Sequence, residues 1–349
     1  MLVMNIVVRE FFFDLLWFRR VTGDGANDVG MIQAADIGVG LSGHEGRQAV
    51  MASDVAIAQF RFLSTLLLVH GRISYIRITR MITYFFYKNT FIGISLFFYN
   101  LFAFSSGQTI FDDIALSAYN LIFTALPPIV TGVLDLETSL FSGLRFPFLY
   151  YFGQENEGFS AKVVGLWIFL GIAHGVLSTV SAILYISFTA ERENGRPIGL
   201  HAGGLVLFTD LIVLAVLQHA VQIKYWTAIH HMATWGSILL WILFMLITSS
   251  IDPEFVGTFE LRSLYVDIMS SSGNYLLQLI VTVTALLMPY MVFMTVRRHL
   301  YPRNVDLVQE IEARERRTGR KMEVKHPETI PKTLKVIHMS IHGEGDEFT

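Results

Sequence analysis

One apolar stretch decides the fold: Val163-Val-Gly-Leu-Trp-Ile-Phe-Leu-Gly-Ile-Ala-His-Gly-Val-Leu-Ser-Thr-Val-Ser-Ala-Ile-Leu-Tyr-Ile-Ser-Phe188. It contains no acidic residue, no lysine and no arginine. A helix that crosses the hydrocarbon core of a bilayer needs about 20 predominantly apolar residues. The stretch therefore predicts a transmembrane helix.

The composition of the whole chain agrees with a membrane protein. Hydrophobic residues make up 53% of the 349 residues and charged residues 16%, whereas soluble domains carry about 25% charged residues.

The formal net charge of −3 gives no reason to expect nucleic-acid binding. Cysteine is absent from the sequence, which excludes disulfides and thiolate metal sites. The first 20 residues lack a basic leading region, so we expect no cleaved signal peptide.

Five further stretches are apolar enough to cross a bilayer, which gives six predicted spans in total. The six predicted spans lie near Tyr84–Phe104, Ile114–Leu134, Val163–Phe188, Gly203–Val221, Met232–Ser249 and Leu276–Val296. An even number of spans places both chain ends on the same side of the membrane. That side carries most of the flanking basic residues, namely Arg77, Arg80, Arg145, Lys162, Lys224, Arg297, Arg298 and Arg303. Because basic residues favour the cytosolic side, we expect both termini to be cytosolic.

The polar parts of the chain divide into three regions. Residues 21–61 alternate between strand and helix patterns, with strands at Ala34–Gly40 and Asp54–Ala58 and a helix at Glu45–Ala52. About 40 residues cannot bury a stable core alone, so we expect this piece to belong to a larger α/β domain. Residues 62–83 predict a basic stalk helix. In the tail, residues 301–349, we predict one helix at Asn304–Arg317 and loop or disorder after it.

A glycine-rich motif, Thr22-Gly-Asp-Gly-Ala-Asn-Asp28, begins the α/β region. A surface turn uses the same residue types, but two acids four residues apart between a strand and a helix favour a cation site. Mg²⁺ is usually held by one or two carboxylates beside a phosphate, so Asp24 and Asp28 are the candidate metal ligands. Gly23 and Gly25 let the backbone turn sharply and approach a phosphorylated group.

Few ionisable residues fall inside the predicted spans. Lys88 either faces the bundle or a water path or snorkels to the cytosolic interface, and the residues alone leave both interpretations open. We expect Asp210 to face the bundle in a structural role and to pair with a histidine such as His219. We expect His174 to be a satisfied buried histidine rather than a ligand. Pro127-Pro128 predicts a kink or unwinding of the second span.

The string Thr-Gly-Asp-Gly-x-Asn-Asp resembles the hinge motif of P-type ATPases, a branch of the haloacid dehalogenase superfamily. The resemblance implies that Asp24 ligates Mg²⁺ next to a phosphorylated aspartate, and that Asn27 and Asp28 complete the site. Further segments are similar to type IV P-type ATPases, the phospholipid flippases. These segments are Ile37–Gly46, Gln48–Met51, Ser53-Asp54, Ala58–Phe62, Leu68–Gly71, Tyr84–Asn89, Phe104–Thr109, Leu126–Ile129, Tyr225-Trp226 and Trp235–Ser237.

The resemblance implies a fold and an activity. The fold class expected is a mainly α-helical polytopic membrane protein with six transmembrane helices in residues 84–300, preceded by a remnant of a haloacid-dehalogenase-like α/β phosphorylation domain. The complete enzyme would use Mg²⁺ and ATP, form an aspartyl phosphate, and move a phospholipid to the cytosolic leaflet. Lys88 and Asn89 match a Lys-Asn pair near the lipid route of flippases. Expected partners are the phospholipid, the membrane bilayer and a small two-span accessory β subunit, in a eukaryotic plasma, Golgi or endosomal membrane.

The chain also departs from the family pattern. It contains no Asp-Lys-Thr-Gly-type segment to accept the phosphate, and a nucleotide-binding domain, an actuator domain and four preceding spans have no counterpart. Residues 1–20 do not match the strand expected there and suggest a mistaken start, a retained intron or a truncated gene. We therefore assign no catalytic residue and expect this chain, by itself, not to hydrolyse ATP.

Two other functions remain open from the sequence. The chain could be a non-catalytic membrane module or remnant that keeps only the flippase scaffold. A fragment of a cation-transporting P-type ATPase is less favoured, because such pumps need carboxylates at membrane depth and the span Ile114–Leu134 contains none.

Overall fold

The computed structural model describes residues 20–42, 47–188, 200–250 and 272–319. Contacts divide the chain into two compact units. The first comprises the described residues within Met1–Ile78, Leu136–Asn156 and Pro302–Thr349. The second comprises those within Thr79–Asp135 and Glu157–Tyr301. The first unit holds the α/β region, and the second holds the apolar helices.

The α/β region is a three-stranded parallel sheet with the strand order β1-β2-β3. Its elements in chain order are β1 (Arg20–Gly23), a 3₁₀ turn (Ala26–Asp28), α1 (Val29–Ala34), β2 (Ile37–Leu41), α2 (Gln48–Ala52) and β3 (Val55–Ile57). Each pair of neighbouring strands is joined through a helix, as parallel pairing requires. Buried side chains of Ile32, Ala35, Val39 and Ala49 form a small core. The predicted α/β alternation is confirmed.

One strand boundary was predicted wrongly. Ala34 ends α1 instead of beginning a strand, and β2 starts at Ile37. The N–H of Ala35 still donates to the carbonyl of Ile32, so the helical turn persists to this point. The predicted helix Glu45–Ala52 is present as Gln48–Ala52, while Glu45 and Gly46 lie outside the described residues.

Helical structure continues through the predicted stalk without a loop. The elements there are α3 (Phe62–Thr65), a π-helical turn (Leu66–Gly71) and α4 (Arg72–Phe102). In the first unit, Arg72 donates to the hydroxyl of Thr138 over 3.1 Å and lies 3.6 Å from Glu137. This ion pair links the beginning of α4 to the loop that follows residue 135.

The C-terminal part of the first unit is a docked helix. Within this unit, the connection after the second span contains α7 (Ser142–Arg145), a 3₁₀ turn (Pro147–Tyr150) and α8 (Tyr151–Gln154). The tail forms α13 (Asn304–Thr318). Apolar residues of α13 pack on the connection in a cluster of Phe146, Leu149, Val305, Leu307, Val308 and Ile311. Arg145 donates two hydrogen bonds of 2.8 and 2.7 Å to Glu315, which raise the pKa of Arg145. Residues after Gly319 lie outside the described part of the chain.

The second unit consists of apolar helices. They are α4 (its part from Thr79 onward), α5 (Asp113–Ala118), a π-helical turn (Tyr119–Phe123), α6 (Leu126–Leu134), α9 (Ala161–Phe188), α10 (Leu200–Ala220), α11 (Ala228–Ser250) and α12 (Ser272–Leu300). Helix α10 is the centre of this unit, because 89% of its span window is buried against protein. Helix α12 is at the periphery, with 11% of its window buried. The mainly helical membrane fold is confirmed.

The predicted number of spans is not confirmed. Among the described residues, five helical segments are long and apolar enough to cross a membrane: Asp113–Leu134, Ala161–Ser187, Ala202–Ala220, Ala228–Thr248 and Gly273–Leu300. The first predicted span, Tyr84–Phe104, falls in α4 and is not among these five segments. Lys88, Asn89 and Asn100 interrupt its apolar residues and lower its mean hydropathy.

The predicted interruption of the second span is present. The π-helical turn ends at Phe123, Thr124 leaves helical geometry with φ −124° and ψ 4°, and α6 starts at Leu126. Pro127 and Pro128 occupy the first turn of α6. Proline is tolerated in a first turn because the N–H groups there have no partner within the helix.

Helix α9 approaches α4 closely through two glycines, Gly171 and Gly175. A Cβ added at Gly175 would lie 2.8 Å from Cγ2 of Ile94 and 3.0 Å from the carbonyl oxygen of Phe91. A Cβ at Gly171 would lie 2.8 Å from the carbonyl oxygen of Tyr87. Small residues spaced by four along a membrane helix allow such close backbone packing.

Replacing Gly175 by alanine is expected to destabilise the bundle, because the new methyl group meets backbone and a branched side chain. Overpacking of this kind costs about 1–3 kcal/mol. Thermal unfolding of the detergent-solubilised protein measures the effect as a lower Tm. Gly165→Ala on the same helix is the control, since nothing lies within 4 Å of its added Cβ. Equal Tm values for the two variants would contradict the close packing.

Replacing Ile311 by alanine is expected to loosen α13, because its buried side chain belongs to the cluster that docks the helix. Removal of a buried isoleucine costs about 2–5 kcal/mol. Hydrogen exchange of the amides in residues 304–318 should therefore become at least about tenfold faster, since a factor of ten corresponds to about 1.4 kcal/mol. Arg314→Ala changes an exposed side chain of the same helix and should leave that exchange nearly unchanged. Equal exchange in both variants would contradict docking through the apolar face.

Candidate functional site

The loop after β1 is held by the carboxylate of Asp28. Its Oδ2 accepts hydrogen bonds of 3.2 Å from the backbone N–H groups of Asp24 and Gly25. Gly23 lies against the same side chain, and a Cβ added there would be 2.5 Å from Cβ of Asp28. Gly25 is less confined, with the nearest atom 3.8 Å from its added Cβ. The loop conformation thus depends on Gly23 and Asp28 together.

Asp24 and Asn27 have exposed side chains at the carboxyl end of β1. In the described part of the chain, no group of three or more His, Cys, Asp or Glu residues could hold a metal ion. Asp24 and Asp28 nevertheless fit part of a magnesium site, because Mg²⁺ usually takes one or two carboxylates and completes its shell with water and phosphate oxygens. The three predicted site residues, Asp24, Asn27 and Asp28, lie in one short segment after β1, and the side chain of Asp24 is exposed.

Lys88 is buried inside the helical bundle, with 1% of its surface exposed. Its Nζ donates to the hydroxyl of Thr124 over 2.9 Å. The ammonium group also lies 4.8 Å from the ring centroid of Phe85 and 6.0 Å from that of Tyr119, within the range of cation–π attraction. Of the two interpretations from sequence, the structure shows the one in which Lys88 faces the bundle.

The partner of Lys88 belongs to the interruption of the second span. Thr124 donates from its hydroxyl to the carbonyl of Tyr119 over 2.6 Å, and the hydroxyl of Tyr119 donates to the carbonyl of Lys88 over 3.3 Å. Two hydrogen bonds thereby join the interrupted span to α4, from Lys88 to Thr124 and from Tyr119 to Lys88, while the third lies within the span. A second hydroxyl, that of Thr131, lies 2.8 Å from Nε2 of His219 on α10.

Asn89 occupies a different environment from that of Lys88. Its side chain is exposed on the surface of α4, whereas Lys88 is among the largest fully buried side chains of the described residues. Consecutive helix positions differ by about 100° around the axis, which explains the difference. The two residues therefore lie in different surroundings, Lys88 inside the bundle and Asn89 on its surface.

The predicted pairing of Asp210 with His219 is wrong. Asp210 is fully buried, and its Oδ2 accepts a 2.7 Å hydrogen bond from Nε2 of Gln278 on α12. His219 instead contacts Thr131, and its ring packs at a tilt of 51° against the ring of Tyr84, with the ring centroids 4.5 Å apart. Two residues of α10 nine positions apart lie about two and a half turns from each other, so their side chains reach different helices.

His174 has the surroundings that the sequence predicts. It is buried, and its Nδ1 lies 2.7 Å from the hydroxyl of Tyr87. Sequence reasoning did not identify Thr124, Tyr119 or Gln278 as partners of the buried ionisable residues. The position of Thr124 just before Pro127-Pro128 was the one available signal, because an interrupted helix exposes polar backbone groups that need partners.

Comparisons with known proteins place this chain in a family of membrane ATPases. The family model described as "Phospholipid-translocating P-type ATPase C-terminal" matches residues 50–303. A probable phospholipid-transporting ATPase 5 of Arabidopsis thaliana is 41% identical over 290 residues, which cover 83% of this chain and 23% of that protein. The phospholipid-transporting ATPase 10 of the same plant is 39% identical over 293 residues, covering 83% of this chain and 24% of the relative.

A phospholipid-transporting ATPase of Schizosaccharomyces pombe is similar to the same extent. It is 38% identical over 292 residues, covering 83% of this chain and 23% of the yeast protein. The chain thus spans about a quarter of the length of these curated relatives. Because the family model covers more than half of the chain, the chain belongs to the phospholipid-translocating P-type ATPases and corresponds to their C-terminal region.

Proposed function

We propose that this chain is the C-terminal membrane region of an ATP-driven phospholipid translocase. The observation that carries the proposal is the position of Lys88, a buried cation beside the interruption of a span, in a chain of this family. Intramembrane ionisable residues are costly and usually serve a transport path. The relatives are phospholipid-transporting ATPases by name, which supports phospholipid as the substrate class.

Lys88 suits the recognition of a lipid head group. A phospholipid carries an anionic phosphate, and the only hydrogen bond that the described structure shows for Nζ of Lys88 goes to the neutral hydroxyl of Thr124. An approaching phosphate would replace this neutral acceptor with an anionic one and so pair the charge of the buried ammonium, which the hydroxyl cannot do. Asn89, exposed on the neighbouring face of α4, would meet a lipid before it reaches Lys88. The proposed direction of transport is towards the cytosolic leaflet.

The loop after β1 that carries the hinge motif, here called the hinge loop, would connect this chain to ATP hydrolysis in the complete enzyme. Asp24 and Asp28 would hold Mg²⁺, and Asn27 would stand beside the phosphorylated group of the complete enzyme. When bound there, Mg²⁺ would neutralise charge on the phosphate, and phosphoryl transfer depends on such charge stabilisation together with positioning. The residues of this chain then act by position: Asp28 fixes the loop through two backbone N–H groups, and Asp24 presents its carboxylate.

Partners and location follow from the family and remain proposals. We propose that the complete enzyme lies in a plasma, Golgi or endosomal membrane of a eukaryote with both termini cytosolic. We further propose a small two-span accessory β subunit. Helix α12 has the smallest buried share among the five candidate spans of the described residues, so it is the span most accessible to lipid or to such a subunit.

Replacing Lys88 by methionine in a complete enzyme that contains this region tests the lipid role. Methionine keeps the length and apolar stem but removes the charge. We expect lipid-stimulated ATPase activity to fall at least about tenfold, a loss of about 1.4 kcal/mol, with a changed dependence on the lipid head group. Phe97→Leu changes an exposed residue of the same helix and should retain activity. Unchanged lipid-stimulated turnover in the Lys88 variant would refute this role.

Replacing Asp24 by asparagine in the same enzyme tests the hinge loop. Loss of one carboxylate should raise the Mg²⁺ concentration for half-maximal phosphoenzyme formation, because Mg²⁺ prefers charged oxygen ligands. Radiolabelled phosphate transfer from ATP measures this directly. Asp36→Asn removes a charge from the same unit away from the loop and is the matched control. If both variants show the wild-type Mg²⁺ dependence, Asp24 is not a ligand.

A further inference from the structure

A small cavity opens within the helical unit, at the end of the bundle where α5 and α10 begin and α11 ends. Its walls include Phe111, Asp112, Phe208, Trp241, Met245 and Thr248. The cavity volume is about 30 Å³. Apart from Asp112, the described residues that line it carry no ionisable side chain. The cavity is thus a mainly apolar and aromatic recess with one carboxylate.

Only one of the two carboxylate oxygens of Asp112 has a hydrogen-bond partner among the described residues. Its Oδ2 caps α5 by accepting a 3.1 Å hydrogen bond from the N–H of Ala115. Its Oδ1 is buried and has no hydrogen-bond partner among the described residues. Asp112 as a whole is 9% exposed, so little water reaches the side chain. Asp113, the next residue, is exposed by contrast.

A buried carboxylate oxygen without a partner is costly, because a charge removed from water must be paired or hydrogen-bonded. A ligand that satisfies this oxygen is therefore a cation or a strong hydrogen-bond donor. Aromatic walls add attraction for a cation. A single water needs about 10–15 Å³, so the cavity accommodates about two waters or one small ammonium group. A quaternary ammonium with three methyl groups is too large for it.

We propose that Asp112 and the surrounding aromatic residues form a binding site for a small monovalent cation, above all a primary ammonium group. Oδ1 of Asp112 accepts from the ammonium N–H, and the ring edges and faces of Phe208 and Trp241 enclose its carbon. The site differs from the contact between Lys88 and Thr124, which is formed by a cation and suits an anion. It depends on the proposed function only for the source of the ligand.

Two sources can supply this chemistry. One is the head group of a phospholipid that carries a primary amine, and the other is a soluble amine or inorganic cation. Under the predicted orientation, with the termini cytosolic, this end of the bundle faces away from the cytosol. A head group of the outer leaflet would therefore reach the site.

The test uses the purified full chain in nanodiscs of phosphatidylcholine. Ethylammonium, tetramethylammonium and potassium chloride are titrated at constant ionic strength, and hydrogen exchange is followed in residues 110–118. We expect saturable protection by ethylammonium, with a Kd at least about tenfold lower than that of tetramethylammonium, a difference of about 1.4 kcal/mol. Weaker protection by potassium is also consistent with the site.

Asp112→Asn is the decisive variant, because asparagine caps a helix as well as aspartate does but carries no charge. It should raise the Kd for ethylammonium at least about tenfold. Without amine it should raise the Tm rather than lower it, because it removes an unpaired buried charge and keeps the helix cap. Asp113→Asn removes the same charge from the neighbouring exposed position and should change the Kd less than about twofold. Tetramethylammonium binding as tightly as ethylammonium, or an equal effect of the two variants, would overturn the proposal. Absence of protection by ethylammonium would overturn it as well.

A second set of nanodiscs, with a different lipid composition, distinguishes the two sources of the ligand. Nanodiscs containing phosphatidylethanolamine should protect residues 110–118 without added amine if the head group occupies the site, and Asp112→Asn should abolish that protection. If only soluble amines protect, the binding site stands and its ligand comes from solution. Because exchange is measured without ATP, failure of the translocase function would leave this result unchanged, and failure of binding would leave the role of Lys88 untouched.

Discussion

The absence of water in a bilayer is the constraint on which the helical unit depends. Every polar group in the hydrocarbon region needs a partner from the protein itself. A continuous helix would be the simplest way to satisfy the backbone, but the second span is interrupted at Thr124. Its hydroxyl therefore donates to the carbonyl of Tyr119, and the hydroxyl of Thr131 donates to that of Pro127 over 3.0 Å. Once these groups are partnered, the interruption is a stable feature that can hold a lysine.

The same constraint explains why polar residues converge on a few helices. Helix α10 is buried on most of its surface, and its Asp210 and His219 take partners from α12 and α6. Thr209 of the same helix accepts from the indole N–H of Trp241 over 3.1 Å. Interhelical hydrogen bonds of this kind contribute about 0.6–2 kcal/mol each in membranes. Oδ1 of Asp112 has no partner among the described residues, and Asp112 lines the cavity for which we propose a cation as ligand.

Sequence reasoning recovered the elements well and the contacts poorly. The five apolar spans agree with their predicted ends to within a few residues, since apolar length is a local property. Helix α4 is not among the five apolar spans for an equally local reason, because Lys88 and Asn89 lower its mean hydropathy. The partner of Asp210 was assigned wrongly, because helices far apart in sequence decide which side chain reaches it. Local patterns also identified the hinge loop, where Asp24 and Asp28 are close along the chain.

The sequence by itself determined the membrane fold, the parallel α/β piece and the family, because hydropathy, period and short motifs are carried by neighbouring residues. It also placed Gly23, Asp24 and Asp28 on one turn. Only the tertiary structure decided that Lys88 faces inward, that Thr124 is its partner, and that Asn89 is exposed. It alone brought Asp112 next to Phe208 and Trp241. The physical reason is that helix packing sets rotation and register between distant segments, and no local pattern encodes that choice.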